Sequence, residues 1–314
     1  MSQQRSDTCI LGIDTSNYKT SAAILTGQGE TVCDERVFLQ VKEGMRGLRQ
    51  SEALFQHVQN LPEIMNKMRE AFGGRLDAVA YSTRPRAVEG SYMPCFTAGC
   101  SVALSIGAAL DIPVAGFSHQ EGHIEAALSS AGEQPEGDFT ACHFSGGTCE
   151  VLTIKQKKHA PSFVPAYGQY TGERAFYDIE ITGGTRDISY GQVLDRAGVS
   201  MGLSFPCGQE LDDMALTAEE ASQELTRIKV SGSEVHLSGF DTQLRNKLAT
   251  RKEAGEPADD LIREAFEKIA DSVVSMLKHN AEETGLNWIL MSGGVSSSGF
   301  LRSRVKEELA GSGI

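Results

Sequence analysis

The feature that most constrains the fold is a strand–turn–strand unit that occurs twice in the chain. Near the N-terminus, the apolar run Cys9 to Ile13 is followed by a short polar turn and a second apolar run, Ser21 to Leu25. The same order returns at Thr140 to Phe144 and Cys149 to Ile154, around the turn Ser145-Gly146-Gly147-Thr148. Each unit predicts a β-hairpin. Two such units in one chain favour two similar lobes.

Helical patterns separate these strands. Apolar residues recur at helical spacing from Leu48 to Met68. Small residues are frequent from Phe96 to Leu110, which suits a buried helix. The pattern from Leu261 to Glu283 predicts a long amphipathic helix. Strands that alternate with helices predict an α/β architecture. We therefore expect an N-terminal lobe over residues 1–128 and a C-terminal lobe over 129–314. The second lobe is expected to contain an irregular and partly helical insertion, rich in Gly and acidic residues, at about 160–257.

Glycine turns at strand ends point to a phosphate ligand. A third apolar run, Trp288 to Met291, enters Ser292-Gly293-Gly294 before a helix that begins near Ser297. Glycine lets the backbone approach a ligand closely, and a helix N-terminus adds the positive end of its dipole. One Ser-Gly-Gly sequence alone is typical of an ordinary turn. Three polar loops at the ends of three strands favour a nucleotide or an acyl phosphate.

His119 and His123 are four residues apart in Ser118-His119-Gln120-Glu121-Gly122-His123-Ile124. This spacing places both imidazoles on one face of a helix, where they can bind one metal ion. Two unrelated surface or capping histidines are the alternative. A zinc-protease site is disfavoured, because the Glu of such a site directly follows the first His, whereas Glu121 lies about 200° round the helix from each His.

The charge of the chain limits how it can bind nucleic acid. Its 314 residues carry a net charge of −13, whereas a protein that binds nucleic acid unaided usually shows a basic face. Basic clusters occur only locally, at 155–158 and 245–252, and such runs are ordinarily solvated faces. A nucleic-acid role therefore requires a local patch or a basic partner.

The cysteines and the hydropathy indicate the compartment. Seven cysteines without CxxC pairs suit a reducing environment. The N-terminus is polar, and no apolar run approaches the ~18 residues of a membrane span. We expect a cytoplasmic protein without a membrane segment.

Several motifs occur in an order found in one known family: Ile10-Leu11-Gly12-Ile13-Asp14-Thr15-Ser16, His119-Gln120-Glu121-Gly122-His123, Phe144-Ser145-Gly146-Gly147, Ser238-Gly239 and Met291-Ser292-Gly293-Gly294-Val295-Ser296. With them the chain resembles the tRNA threonylcarbamoyladenosine synthase (TsaD- or Gcp-like) family, formerly called O-sialoglycoprotein endopeptidase or peptidase M22. The resemblance runs from Ile10 to about Leu309.

The resemblance implies the actin-like ATPase (ASKHA) fold, an α/β fold of two RNase H-like lobes with a central cleft. It implies one divalent metal ion, iron or zinc, on His119 and His123, and an adenylate nucleotide as substrate or product. The implied reaction is metal-assisted transfer of a threonylcarbamoyl group from threonylcarbamoyl-adenylate to the exocyclic amine of the tRNA adenosine beside the anticodon. The implied partners are tRNA and proteins of the tRNA threonylcarbamoylation complex.

The resemblance also assigns residues position by position. Asp195 corresponds to an acidic residue that contacts the ribose or neighbouring groups, and Gly208 to a glycine against which the nucleotide lies. Asp187 falls where the family has an acidic pair and is a candidate catalytic carboxylate. For Asp187 and Asp195, a helix N-terminal or salt-bridge role is the alternative. The positions expected to contact the substrate nucleotide are His143, Phe144, Ser145, Gly146, Gly147, Asp195, Gly208 and Ser298.

The chain departs from the family pattern at several places. Asn17-Tyr18-Lys19-Thr20 stands where the family usually has Cys-Asp-Glu-Thr, which makes Lys19 a candidate to steady a phosphate or carboxylate, with a solvated lysine as the alternative. Thr83-Arg84-Pro85-Arg86 replaces Ala-Gly-Pro-Gly, and two guanidiniums can bind a carboxylate or phosphate. The chain stops at Gly311-Ser312-Gly313-Ile314, where we expect it to lack the final strand and helix whose aspartate completes the family's metal site.

These departures indicate a divergent paralogue and leave two alternatives. One is a carbamoyl- or phosphoryl-transfer enzyme of the same fold that acts on a small molecule, motivated by Tyr18, Lys19, Arg84 and Arg86. The other is a catalytically silent scaffold of the tRNA-modifying complex, motivated by the missing C-terminal ligand. The retained His pair and glycine loops count against the scaffold.

Overall fold

The chain forms two compact units in its computed structural model. The first unit takes in the described residues up to Ser129, next to the predicted lobe boundary at 128, together with Lys157 and 176–178. The second takes in Ser130–Gln156 and Ile179–Ile314. The structure describes residues 8–16, 18–41, 48–88, 90–157 and 176–314.

The first unit contains a five-stranded sheet in the order β3-β2-β1-β4-β5. Its strands are β1 (Cys9–Asp14), β2 (Lys19–Thr26), β3 (Thr31–Phe38), β4 (Ala78–Arg84) and β5 (Val114–Ser118). β1 and β2 are antiparallel, which confirms the first predicted hairpin. β4 runs parallel to both β1 and β5. The carboxyl ends of these three strands therefore meet at one edge of the sheet.

Three helices follow the strands of this unit: α1 (Gln50–Ala71), α2 (Phe96–Leu110) and α3 (His119–Ala131). α1 buries Leu61, Ile64 and Met68, which recur at helical spacing. α2 packs closely on the sheet because it is built from small residues. A Cβ atom at Gly107, for example, would lie 2.1 Å from a methyl carbon of Val114 on β5. α3 begins at the residue that directly follows β5.

The second unit contains a six-stranded sheet in the order β11-β6-β7-β8-β10-β9. β6 and β7 are antiparallel, which confirms the second predicted hairpin, whereas β6 and β11 are parallel. The run β8-β7-β6-β11 repeats the order β3-β2-β1-β4 of the first sheet. The strands are β6 (Phe139–Phe144), β7 (Cys149–Gln156), β8 (Tyr177–Thr185), β9 (Lys229–Ser231), β10 (Glu234–His236) and β11 (Ile289–Ser292).

The helices of the second unit are α4 (Tyr190–Met201), α5 (Gly208–Thr217), α6 (Ser238–Ala254), α7 (Asp259–Thr284) and α8 (Gly299–Leu309). α7 runs through the core and buries Phe266, Ile269 and Leu277 among others. No helix in the described part of the chain is long and apolar enough to cross a membrane.

The region expected to be an irregular insertion is more regular than its sequence indicated. Between 176 and 257 the structure has β8, α4, α5, β9, β10 and α6, and β8 is an integral strand of the second sheet. The sequence of β8 lacks the apolar pattern that predicts a strand, because most of its side chains are not buried and it contains two glycines. Residues 158–175 of the expected insertion lie outside the described residues.

A small polar cluster is buried between α1 and β2. His57 is fully enclosed, and its Nδ1 lies 2.8 Å from Thr20 Oγ1, which accepts a hydrogen bond from Asn60 Nδ2 at 3.1 Å. A Thr20 hydroxyl that accepts from Asn60 and donates to Nδ1 requires a neutral ring with its proton on Nε2. That Nε2 is buried and has no hydrogen-bond partner among the described residues. Burial accordingly lowers the pKa of His57 below its ordinary value of 6.5.

We expect the folded state to lose stability as the pH falls below the ordinary histidine pKa of 6.5. The unfolded His57 ring takes up a proton there, whereas the buried ring resists it, so acid favours unfolding. His57→Gln does not titrate, and its free energy of unfolding should fall less between about pH 7.5 and about pH 5.5. Denaturant titrations at several pH values measure this loss. Equal losses in both proteins would contradict the assignment.

Candidate functional site

The first unit carries its candidate site at the carboxyl edge of its parallel strands. β5 ends at Ser118, so His119 leaves the sheet at the edge where β1 ends with Asp14, and His119 Nδ1 lies 2.6 Å from Asp14 Oδ2. Burial alone would raise the pKa of Asp14, but the hydrogen bond and charge of His119 and the N–H of Ser16 lower it to about 2. Asp14 is therefore an ionised acceptor that orients the His119 ring.

The two histidines of the motif converge. The ring centroids of His119 and His123 are 4.3 Å apart, with 70° between the ring planes. Because Nδ1 of His119 is bonded to Asp14, its Nε2 is the atom left to bind a metal, and carboxylates commonly orient metal-binding histidines in this way. Imidazole nitrogens suit iron or zinc as ligands. Within the described ranges, no group of three or more His, Cys, Asp or Glu forms a complete metal site.

Glu121 has a structural role on the same helix. Its Oε2 accepts hydrogen bonds from the N–H of Ser118 at 2.9 Å and from the Ser118 hydroxyl at 2.8 Å. Its Oε1 accepts from the N–H of Phe176 at 2.9 Å, and the side chain is only 2% exposed. The carboxylate closes the start of α3 and is not available as the base of a protease.

Two substituted positions of the first unit contact their own surroundings. Lys19 Nζ lies 5.8 Å from the ring centroid of Phe38, within range of a cation–π interaction. Arg84 Nη1 donates to the carbonyl oxygen of Val88 at 3.1 Å. A catalytic role for Lys19 and substrate binding by Arg84 stay predictions.

The second unit brings two glycine turns together. His143 on β6 is in register with Ser292 on the parallel strand β11, so the turns that follow these strands lie side by side. The Ser292 hydroxyl donates to Cys142 O at 3.0 Å, and His143 Nδ1 lies 3.1 Å from the same Ser292 oxygen. The carbonyl oxygen of Phe144 accepts from the N–H of Val295 at 2.9 Å. The end of β6 is thereby tied to the turn after β11.

Close backbone approaches explain two of the glycines in this region. Gly293 has φ +97°, and a Cβ there would lie 2.4 Å from Phe144 O. A Cβ at Gly191, near the start of α4, would lie 2.5 Å from Gly146 Cα. At Gly147 a Cβ would meet no atom of the described residues within 4 Å. The tip of the first turn is therefore open, and a ligand can approach its backbone closely.

α4 adds further predicted residues to the same region. The hydroxyl of Ser189, the N-cap of α4, donates to Gly146 O at 2.6 Å. Asp195 Oδ1 accepts from the N–H of Cys207 at 3.0 Å, and its Oδ2 lies 4.0 Å from the position of a Cβ on Gly146. Gly208, the exposed first residue of α5, follows Cys207. Gly146, Asp195 and Gly208 thus lie together, and their contacts with a nucleotide stay predictions.

Two other predicted site residues cap helices. Asp187 accepts from the N–H groups of Leu237 at 2.9 Å and Ser238 at 3.0 Å, at the start of α6. Burial would raise the pKa of Asp187, but these backbone hydrogen bonds hold it far below its ordinary value. Ser298 is the N-cap of α8, and its hydroxyl also donates to Asp212 Oδ1 at 2.5 Å. The geometry favours capping over catalysis for Asp187 and over nucleotide contact for Ser298.

Sequence reasoning placed Asp14 in a motif but assigned it no role. The positions of the two residues in the chain could have predicted that they lie close together. Asp14 ends a strand, and His119 begins a helix directly after another strand. Parallel strands bring such ends together at one edge of a sheet. Ser189 was missed because an N-cap serine has no signature beyond its position before a helix.

Comparison with known sequences identifies relatives over most of the chain. A family model described as TsaD, tRNA N6-adenosine threonylcarbamoyltransferase, matches residues 32–164 and 168–313. A tRNA N6-adenosine threonylcarbamoyltransferase from Neorickettsia sennetsu is 26% identical over 302 residues, which cover 95% of this chain and 84% of that protein.

Solved structures agree on the fold. Full-length HypF in its phosphate- and nucleotide-bound form has a TM-score of 0.55 at 12% identity, over 99% of this chain and 52% of that chain. HypF from T. kodakarensis has a TM-score of 0.54 at 13% identity, over 98% and 44%. A structural likeness at such low sequence identity shows the fold alone. The predicted actin-like α/β fold class is confirmed.

We expect Asp187→Ala to lower the free energy of unfolding by about 0.5–2 kcal/mol, because α6 loses acceptors for its first N–H groups. Asp187→Asn keeps one acceptor oxygen and should lose less. Denaturant unfolding of the three proteins measures the difference. A catalytic carboxylate predicts another pattern, in which both variants unfold like the wild type and both lose turnover.

Proposed function

The chain belongs to the tRNA N6-adenosine threonylcarbamoyltransferase family, and from that membership we propose that it transfers a threonylcarbamoyl group to tRNA. The donor is threonylcarbamoyl-adenylate, and the acceptor is the exocyclic amine of the adenosine beside the anticodon. The amine nitrogen bonds to the carbamoyl carbon, the bond from that carbon to the phosphate oxygen breaks, AMP leaves, and the amine loses a proton. The motif resemblance to this family is confirmed.

The mixed anhydride of the donor is already activated, so the protein must chiefly position it and stabilise charge. We assign the adenylate to the glycine turns of the second unit. The open tip at Gly147 and the nearby Asp195 carboxylate support this assignment. Ser296, in the turn after β11, supports it too, because its hydroxyl oxygen is buried and has no hydrogen-bond partner among the residues described.

The observation that carries the proposal is the convergent pair of His119 and His123, with Asp14 on the first ring. We assign these imidazoles as ligands of one divalent ion, iron or zinc. Their donor chemistry fits such an ion, with the remaining positions left to water or substrate. When bound, the ion would supply Lewis-acid stabilisation of developing negative charge. Asp14 fixes which nitrogen of His119 faces it.

The proposal includes partner proteins. A chain with a net charge of −13 repels a polyanion over most of its surface. Proteins of the tRNA threonylcarbamoylation complex would supply further RNA contacts. The alternative, transfer to a small molecule, rests on Tyr18, Lys19 and the arginines at 84 and 86. The tRNA transfer assay below distinguishes this alternative from transfer to tRNA.

Purified protein incubated with threonylcarbamoyl-adenylate and unmodified tRNA should produce the modified adenosine, detected by mass spectrometry of nucleosides. The reaction is run with and without partner proteins of the complex. His119→Ala should lower the rate at least about 100-fold, because the ion loses a direct ligand. His236→Ala removes an exposed histidine of β10 and serves as the matched control. Wild-type turnover in His119→Ala would reject the role of the pair, and absence of product under every condition would reject transfer to tRNA.

Metal content tests the histidine pair without any turnover. The double variant His119→Ala, His123→Ala should lose the stoichiometric iron or zinc that the wild type retains after dialysis, as measured by elemental mass spectrometry. Asp14→Asn should bind the metal about 10–100-fold more weakly, because the orientation of His119 is lost. His236→Ala should retain it. Equal metal in the double variant and the wild type would remove the site.

A further inference from the structure

A groove of about 620 Å³ lies on the second unit, away from the glycine turns in sequence. It is formed by one face of α7, by α8 and by the segment that leads into β9. Four cations and two carboxylates line it, which gives a local excess of two positive charges in a chain of net charge −13. The charged lining residues are Arg227, Lys268, Asp271, Lys278, Arg304 and Glu308.

The cations of this groove are only partly neutralised. Lys268 Nζ lies 3.6 Å from Glu264 Oε1, and Arg304 Nη2 lies 2.9 Å from Glu308 Oε1. The side chains of Arg227 and Lys278 form no hydrogen bond or ion pair within the part of the chain that the structure describes. Nε of Arg304 is buried, and it too has no hydrogen-bond partner among the described residues. The groove therefore offers uncommitted donors to an anion.

We propose that this groove binds the phosphodiester backbone of RNA. Lys268 and Lys278 are separated by ten positions on α7, which is about 15 Å along the helix axis. That separation suits several phosphates of one strand better than a single anion. Arg227 adds a planar guanidinium, which pairs well with phosphate oxygens.

The inference rests on the proposed function, because it takes tRNA as the RNA that reaches the groove. Asp271 and Glu308 reduce the net positive charge of the groove. The groove therefore strengthens the binding of a tRNA that other contacts also hold. Its contribution is electrostatic and independent of base sequence, and it must weaken with salt, since each neutralised phosphate releases counterions.

The experiment compares tRNA binding by the wild type and by the variant Arg227→Glu, Lys278→Glu, using fluorescence anisotropy from about 50 to about 200 mM salt. We expect the Kd at low salt to rise at least about 10-fold, and the slope of log K against log salt to shrink by about 1–2. Arg227→Gln, Lys278→Gln is a milder second variant, which should show a smaller change in the same direction. Thermal unfolding verifies that both are folded.

The matched control is Arg302→Glu, Lys306→Glu on α8, which makes the same change in net charge. Both positions lie about 160° round the helix from Arg304, at 100° per residue. The control should bind tRNA within about 2-fold of the wild type, since its charges lie off the groove. Equal weakening in the control and groove variants would overturn the proposal, and so would unchanged binding in the groove variants. Inorganic pyrophosphate that binds as tightly as tRNA would indicate a small-anion site and also overturn it.

The same variants separate this inference from the proposed function. In the transfer assay, the groove variants should raise the KM for tRNA and leave kcat unchanged. A wild type that binds tRNA through the groove yet forms no product contradicts only the proposed function. A wild type that forms product with a tRNA KM equal to that of the groove variants contradicts only the groove.

Discussion

Parallel strand pairing at the centre of each sheet determines where the candidate sites of this protein lie. In the first unit, β1, β4 and β5 end at one edge, which brings the carboxylate of Asp14 to the ring of His119 across 105 positions of sequence. In the second unit, the pairing of β6 with β11 brings two glycine turns together in the same way. The edges of parallel sheets collect side chains and open backbone from distant segments, which is why ligands bind there.

The hydrogen bond between Asp14 and His119 shows how such an edge is used. Burial of Asp14 disfavours its charged form, and the hydrogen bonds from His119 and Ser16 together with the charge of His119 reverse that preference, so its pKa is lowered. The ionised carboxylate in turn selects the proton-bearing nitrogen of the ring and leaves the other nitrogen for a ligand. In the proposed metal site, a carboxylate that is not itself a ligand therefore fixes which nitrogen of His119 faces the ion.

The sequence predicted much of the fold and less of the site. Both hairpins follow from short apolar runs on either side of a polar turn. α2 over Phe96–Leu110 follows from its small residues, and the His-bearing α3 from the four-residue spacing of its histidines. β3 and β8 were missed because most of their side chains are not buried. Asp187 and Ser298 show a further limit, since a motif fixes a residue type and not its partner. An Asp or Ser before a helix suits capping as well as ligand binding, and only the positions of backbone N–H groups decide between them.

Under the proposed function, the charge distribution assigns substrate binding and the chemical step to different residues. Both proposed substrates are anions, yet the chain carries an excess of acidic residues, so the mean field opposes binding. Over distances beyond about 10 Å this field is screened at physiological salt, and local cations then decide where an anion settles. The reacting groups are small and already activated, so they need positioning more than attraction. Residues that hold the RNA backbone can therefore lie apart from the residues that position the carbamoyl carbon, and substitutions in the two sets should affect KM and kcat separately.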